Sequence, residues 1–311
     1  MTDPTRPNAG RRPVADPGGP GRRAATLLRR LATGSADTTI VAPRPRDLIP
    51  ALAALLLVLA QIAYPLTTGV ARDQVTLVVV SLSAATALVH AGMTRGPRYA
   101  AGFLVIVSGS GLVAEIIGTT TGFPFGCYDY ADGRLGPAVA GVPVAVALAW
   151  TGGLYPVWVV AGFLARRAVG RIGLTAVGAV AWDLFLDPQM VADGQWSWCD
   201  IDSGLPGLAG IPYTNYLGWF AVALLMAVAL TGWERAARDV RQSRSNITVP
   251  IVVFLWTWLG SALAHAVFLG LPASACYGGI GLGLLGVPLV VRLRRSRGRH
   301  NGDGSARRVA I

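Results

Sequence analysis

The sequence predicts an all-α protein, a polytopic membrane helix bundle of about eight transmembrane helices with both termini cytoplasmic. Composition is the first reason, since 53% of the 311 residues are hydrophobic and 14% are charged. A soluble domain carries about a quarter charged residues. The second reason is that long intervals contain no Asp, Glu or Arg, and about 20 apolar residues suffice to cross a hydrocarbon core.

Charged residues delimit the candidate membrane spans. The spans lie near residues 48–70, 75–94, 99–118, 141–164, 172–190, 213–233, 249–270 and 275–291. The last two could be mistaken for one, because Ser245 to Val291 comprises 47 residues without Asp, Glu or Arg. A single helix of that length would measure about 70 Å, more than twice the hydrocarbon thickness. The glycine and proline within residues 270–274 favour a turn there, so we expect two passes.

The arginines predict the orientation. All 27 basic residues are arginine, and 25 of them fall in the two tails and in alternate loops, against two, Arg72 and Arg134, in the other loops. Cationic loops remain cytoplasmic, so we expect a multi-pass protein of the cell membrane with both ends inside.

Domain organisation follows from the same charges. Residues 1–46 are rich in Arg, Pro and Gly, which predicts a disordered cytoplasmic tail. Residues 47–291 are predicted to form the transmembrane domain, and residues 292–311 a basic cytoplasmic tail. The net charge of +11 is concentrated in these polar stretches. Contact of the basic tail with anionic membrane lipids is one interpretation of this charge, a solvated tail is the favoured one, and no nucleic acid partner is expected. Three cysteines without a Cys-x-x-Cys pair exclude a thiol redox motif and a zinc ribbon, so no metal is expected.

Chemistry is predicted where ionisable groups lie inside the spans. The intramembrane acids are Glu115, Asp183 and Asp187, joined by His90 and His265. Such groups cost at least a few kcal/mol at membrane depth, so each is a functional hypothesis. The predicted depths place all of them except His90 in the outer leaflet. His90 is better interpreted as a core histidine, whereas for His265 a structural role and a substrate-binding role are equally open.

Asp183 and Asp187 form the strongest catalytic candidate. Residues four apart on a helix stack on one face about 6 Å apart. Two carboxyl groups that close cannot both ionise in a low dielectric, so we expect one to keep its proton and act as an acid. Pro188 predicts that the helix loosens at Asp187. The alternative is a structural polar contact between helices.

Two aromatic loops flank these acids. They supply the candidate substrate-binding residues Tyr128, Tyr130, Trp196 and Trp198. Aromatic faces stabilise cations, although an interfacial belt of Trp and Tyr is the alternative. Asn215 is either a helix cap or an amide that faces the ligand. Cys127 and Cys199 lie in these loops, and the sequence does not decide whether they pair.

Several ordered blocks carry a family resemblance. They are Glu115-Ile116-Ile117-Gly118, Thr121-Gly122-Phe123-Pro124-Phe125-Gly126-x-Tyr128-x-Tyr130, Leu135-Gly136, Gly141-Val142-Pro143, Asp183, Asp187-Pro188, Trp196-x-Trp198, Gly210-Ile211-Pro212 and Asn215-x-x-Gly218-Trp219. Together they resemble the membrane carotenoid hydratases of the CruF and bisanhydrobacterioruberin hydratase family over roughly residues 50–290. We therefore expect residues 47–291 to form a transmembrane carotenoid-hydratase-like domain.

The resemblance implies an enzyme, a hydro-lyase of carotenoid biosynthesis. Water would add to the terminal C=C of an acyclic carotenoid end group of the lycopene, gamma-carotene or bisanhydrobacterioruberin type, giving a tertiary hydroxyl without a cofactor. The partners would be a carotenoid polyene in the bilayer and other carotenoid enzymes. We assign the catalytic roles from physical chemistry, to Asp183, Asp187 and Glu115.

Three alternatives stay open. A membrane prenyltransferase could hold Mg²⁺ on Asp183 and Asp187, but only Arg72 and Arg134 lie near enough to bind a diphosphate. A proton-coupled transporter would also place acids in its spans. A non-catalytic subunit of a carotenoid-modifying complex would need none of the acids for chemistry.

The arginine partition predicts the outcome of reporter fusions. A reporter fused after residue 200 should report the outside, and one fused after residue 240 the cytoplasm. The measurement is the activity of paired periplasmic and cytoplasmic reporters at each site. The reverse pattern would contradict both the orientation and the outward position of the acids.

Overall fold

The computed structural model confirms the predicted all-α membrane bundle. It describes residues 48–199, 203–208, 210–237 and 246–308, with side chains as far as residue 296. Within these residues, eight helices are long and apolar enough to cross a membrane. The predicted tail 1–46 lies outside the described residues.

The helices follow one another with few insertions. In chain order they are α1 (Leu48–Ala63, continued by a 3₁₀ turn, Tyr64–Leu66), α2 (Gly69–Arg95), α3 (Pro97–Thr121), α4 (Val144–Leu164), α5 (Ala168–Ala192), α6 (Tyr213–Ala236), α7 (Thr248–Leu263, continued by a π-helical turn, Ala264–Phe268) and α8 (Pro272–Arg308). The predicted turn between the last two passes is confirmed, because the helical structure ends at Phe268 and resumes at Pro272. Helix α8 continues through much of the predicted basic tail.

Several helices extend past the charges that delimited the predicted spans. Helix α2 contains Arg72 and Asp73, and α6 contains Glu234. The predicted spans 75–94 and 213–233 are therefore shorter than the helices that contain them. A charged side chain does not interrupt the backbone hydrogen bonds of a helix, and Arg72, Asp73 and Glu234 each form an ion pair, so a helix need not stop at its first charge.

One end of the bundle carries the long connections, residues 122–143 and 193–212, and we call it the loop face. Four short strands, which the sequence analysis did not predict, lie there: β1 (Tyr128–Tyr130), β2 (Ala138–Val139), β3 (Val142–Pro143) and β4 (Trp196–Trp198). Strand β1 pairs antiparallel with β4, and β2 with β3. The β1–β4 pair joins the two aromatic loops, which are distant in sequence.

Helix α4 forms the centre of the bundle. In its most apolar stretch 72% of the residues are buried, against 22% for α1, most of whose leucines face outward. Its largest buried side chains are Trp150, Tyr155 and Trp158. The helices that carry the predicted acids, α3 and α5, both pack against α4. This central helix therefore sets their spacing.

The end of the bundle opposite the loop face is held by one carboxylate. Glu234 forms ion pairs with Arg95 and with Arg171, the latter at 2.5 Å. The Tyr99 hydroxyl donates a hydrogen bond to the same carboxylate at 3.2 Å. Four helices, α2, α3, α5 and α6, therefore meet at Glu234.

Replacing Glu234 by glutamine should destabilise the bundle. The variant Glu234→Gln leaves two arginines facing each other without their shared anion, which we expect to cost about 2 kcal/mol or roughly 5 °C in Tm. The measurement is thermal unfolding in detergent. The neighbouring exposed Arg235 supplies the control, Arg235→Gln, which should melt like the wild type. Equal melting of the two variants would contradict the role of Glu234.

Candidate active site

Glu115 lies in the last turns of α3, close to the loop face. Its side chain is buried, and its Oε2 accepts hydrogen bonds from the hydroxyls of Tyr128 and Tyr130, the second at 2.7 Å. Both tyrosines come from β1, directly after the turn that ends α3. A carboxylate accepts without donating, so two phenol donors on one oxygen suit its negative form.

The aspartate pair lies on α5, next to Glu115. Asp183 and Asp187 are both buried and lie within hydrogen-bonding reach of each other. The amide of Asn215, at the start of α6, donates to Asp187 and lies 3.4 Å from Asp183 Oδ2. Glu115 is near enough to interact electrostatically with both aspartates. The structure thus brings all three predicted acids together.

The two aromatic loops close this site as a two-stranded lid. Side chains alternate along a strand, so Tyr128 and Tyr130 turn inward while Asp129, between them, is exposed. The same alternation buries Trp196 and Trp198 on β4. The registered pairs are Tyr128 with Trp198 and Tyr130 with Trp196. All four predicted substrate-binding aromatics therefore lie on one face of the lid.

The lid is cross-linked at its edge. Cys127 and Cys199, one residue beyond the paired strands, form a disulfide with Cα atoms 5.4 Å apart. The Cys199 N–H also donates to the Cys127 carbonyl at 2.8 Å. The remaining cysteine, Cys276, is free and exposed. The pairing that the sequence left open is present in the structure.

The lid also donates hydrogen bonds to the acids. Trp196 reaches Asp187, in addition to the two tyrosines that reach Glu115. Burial, followed by the neighbouring Glu115 carboxyl, raises the pKa of Tyr128 and of Tyr130 well above the ordinary phenol value. Both phenols therefore keep their protons at physiological pH and remain donors.

Further aromatic rings, which were not predicted as site residues, continue the lid into the bundle. Trp219 stacks on Phe125 with ring centroids 4.5 Å apart, and Trp150 lies 4.1 Å from Trp219. Trp182, the residue before Asp183, meets Trp150 edge to face at 5.2 Å. The spacing of Trp219 from Asn215, four residues on one helix, was the available signal. Trp150 had none, because it lies in a uniformly apolar helix.

His265 lies apart from the acids. It lies in the π-helical turn after α7, fully buried, where it contacts Gln189 Oε1 at 3.1 Å and meets the Phe185 ring. Residues two apart on a helix point about 200° apart, so Phe185 and Gln189 face away from Asp187. A role for His265 in substrate binding gains no support from this position, whereas the open structural interpretation fits it.

The expected loosening of α5 at Pro188 is wrong, because α5 remains helical to Ala192. Proline lacks the N–H that would bond the carbonyl four residues earlier, that of Leu184. The Ser274 hydroxyl donates to that carbonyl at 2.6 Å and also contacts His265 Nδ1 at 2.9 Å. The bond that Pro188 removes is thus replaced from α8.

Two polar features surround the site without joining it. His90 contacts the Tyr155 hydroxyl and the Asn246 carbonyl, both at 2.8 Å, as a core histidine would. On the loop face a cavity of about 160 Å³ is lined in part by Tyr64, Arg72 and Gln189. Because Gln189 is on the α5 face that points away from the aspartates, the helix separates this cavity from them.

Gly118 permits the close approach of the lid to Glu115. A Cβ at this position would lie 2.6 Å from Phe125 Cδ2 and 2.7 Å from Tyr128 Oη. We therefore expect Gly118→Ala to push Tyr128 from Glu115 and to lower stability by about 1–3 kcal/mol, as overpacking does. Thermal unfolding in detergent measures the change. Gly109 on the same helix has open space, so Gly109→Ala is the matched control and should not destabilise. Equal stability of both variants would contradict the contact.

Comparison with known proteins places the chain in a family. A family model described as "carotenoid biosynthesis protein" matches residues 74–287, which include the three acids, Asn215 and the lid. No curated protein and no solved structure matches the chain. Since the family model matches well over half of the chain, this multi-pass membrane protein belongs to the carotenoid biosynthesis protein family.

Proposed function

We propose that this protein is a carotenoid hydratase. It adds water across the terminal C=C of an acyclic carotenoid end group, of the lycopene, gamma-carotene or bisanhydrobacterioruberin type, and produces a tertiary alcohol without a redox cofactor. The polyene lies in the bilayer, and its end group is presented to Glu115, Asp183 and Asp187.

The observation that carries this proposal is the buried carboxyl cluster under an aromatic lid. Alkene hydration requires a proton donor, stabilisation of a tertiary cation and a base for the attacking water. The Asp183–Asp187 pair offers a donor and an acceptor on adjacent helical turns. Aromatic rings and the Glu115 carboxylate offer the cation a negative environment.

The hydrogen bonds support the roles that we propose within the pair. Asp187 accepts from Asn215 and Trp196, which suits a carboxylate that serves as the base. Asp183 lies farther from Asn215 and is the proton donor, with Glu115 as the alternative donor. The proton leaves Asp183 for the less substituted alkene carbon, and Asp187 then takes a proton from the water that attacks the cation. Transfer from Asp187 back to Asp183 restores the pair.

The orientation of the site is part of the proposal. We place the loop face outside the cytoplasm and both termini inside, in the cell membrane, in accordance with the arginine partition. The Cys127–Cys199 disulfide supports this, because disulfides persist in oxidising compartments. Water then reaches the acids from the outer side while the polyene comes from the lipid.

The pairing of the loop-face arginines weakens the prenyltransferase alternative. Arg72 binds Asp193 at 3.1 Å, and Arg134 binds Asp73 at 2.7 Å. Both cations are therefore engaged by carboxylates of the protein. A diphosphate at the aspartate pair would have to compete for them.

Isotope labelling tests the reaction class. A host that accumulates an acyclic polyene is grown with and without this chain, in H₂¹⁸O under ordinary O₂ and in ordinary water under ¹⁸O₂. The carotenoid formed only with the chain should carry a hydroxyl oxygen from water, as measured by mass spectrometry. Label from O₂ would identify a hydroxylase, and the absence of any hydroxylated product across acyclic polyenes would contradict a hydratase.

Amide substitutions test the roles of the acids. Asp183→Asn keeps size but removes the transferable proton, so turnover should fall by about 100-fold or more. Asp187→Asn should slow turnover less, since water can lose its proton to another acceptor. The exposed Asp129 between the lid tyrosines gives the matched control, Asp129→Asn, which should turn over like the wild type.

Product formation is measured in membranes with equal amounts of folded protein. If Asp183→Asn stays active and Glu115→Gln does not, Glu115 is the donor. If both stay active, the cluster has a structural role and the proposed mechanism is wrong.

A further inference from the structure

We propose that the hydroxyl of Tyr216 binds the water molecule that is added to the substrate. The inference rests on the proposed hydration and gives that reaction a site for its second substrate. The sequence analysis did not single out this tyrosine.

The Tyr216 hydroxyl is unpartnered although it is buried. The residue is 6% exposed, and its Oη has no hydrogen-bond partner among the described residues. Buried polar groups in folded proteins nearly always have a partner, from the protein or from ordered water. Because the described part of the chain supplies no partner, we expect a bound molecule with hydrogen-bonding capacity at this oxygen.

The position of Tyr216 indicates that the molecule bound to its hydroxyl is water. Tyr216 follows Asn215 in the first turn of α6, where α6 packs along α5. It interacts electrostatically with both Asp187 and Asp183. The Asp187 carboxylate keeps acceptor capacity beyond its bond from Asn215, and the Tyr216 oxygen has no partner among the described residues. We place the water of this proposal between the Tyr216 oxygen and the Asp187 carboxylate.

This arrangement orients the water for attack. One water O–H donates to the Asp187 carboxylate and the other to Tyr216 Oη, so that an oxygen lone pair faces the cation left by proton transfer from Asp183. As the C–O bond forms, the O–H bond toward Asp187 breaks. The product is the tertiary alcohol with no change in oxidation state of the protein, and Tyr216 keeps its own proton throughout.

The matched pair of variants is Tyr216→Phe and Tyr213→Phe. The first removes only the buried hydroxyl, and the second removes an exposed one on the same helix, on a residue that is 51% exposed. Tyr216→Phe should lower kcat by about 10-fold or more and leave the KM for the polyene unchanged, because the phenol binds water and not the polyene. Tyr213→Phe should behave like the wild type. Wild-type kcat in folded Tyr216→Phe would overturn the proposal, as would a change confined to KM.

A second measurement tests the water site at Tyr216 independently of the proposed hydration reaction. A high-resolution structure of the wild-type chain in lipid nanodiscs should show an ordered water within hydrogen-bond distance of Tyr216 Oη and of the aspartate pair. An empty position, or a protein group bound to Oη, would overturn the proposal even if hydration is confirmed. Failure of the wild type to hydrate any acyclic polyene would instead overturn the proposed function, and the water position would still be decided.

Discussion

The burial of three carboxyl groups within a membrane bundle is the constraint on which the rest of this structure depends. An isolated charge at that depth costs several kcal/mol, so each acid needs donors that reach it inside the protein. The helices that carry the acids cannot supply them, because their own N–H groups are used in helical hydrogen bonds. Asn215 of α6 and Trp196 of the lid donate to Asp187, and Tyr130 of the lid donates to Glu115.

The lid supplies its donors only if its strands are held in register. A slip of one residue would turn Tyr130 outward and Asp129 inward, against a carboxyl cluster. The disulfide beyond the strand ends restricts such a slip by a covalent link. Gly118 restricts it as well, because Tyr128 packs closely against this small residue. The positions of the donors in the lid thus depend on a short sheet, whereas the membrane helices position the three acids and Asn215.

The sequence was sufficient for the architecture and for the acids, because both depend on charge at membrane depth. Glu115 and the aspartate pair are conspicuous in apolar intervals, and the eight spans are separated by charges or by turns. Helix ends were predicted less well. Glu234 lies one residue beyond the predicted span 213–233, because nothing local indicates that Arg95 and Arg171 meet it across the bundle. The β1–β4 pairing was equally hidden, since antiparallel register between distant segments depends on the packing of the helices that carry them.

Helix α5 shows how one element satisfies two opposed requirements. On one face it holds the acids, whose chemistry needs polar neighbours, and on the other it packs Phe185 against His265. Pro188 would weaken the helix between these faces, yet Ser274 restores the lost hydrogen bond at the Leu184 carbonyl. On the packed face, the Gln189 side chain and the Leu184 carbonyl are bonded to His265 and Ser274. The acid face therefore offers the hydrogen-bonding capacity of α5 for a ligand. The position of His265 follows from this division, since a histidine bound to Ser274 and Gln189 stabilises the helix and leaves the acids to the lid and to α6.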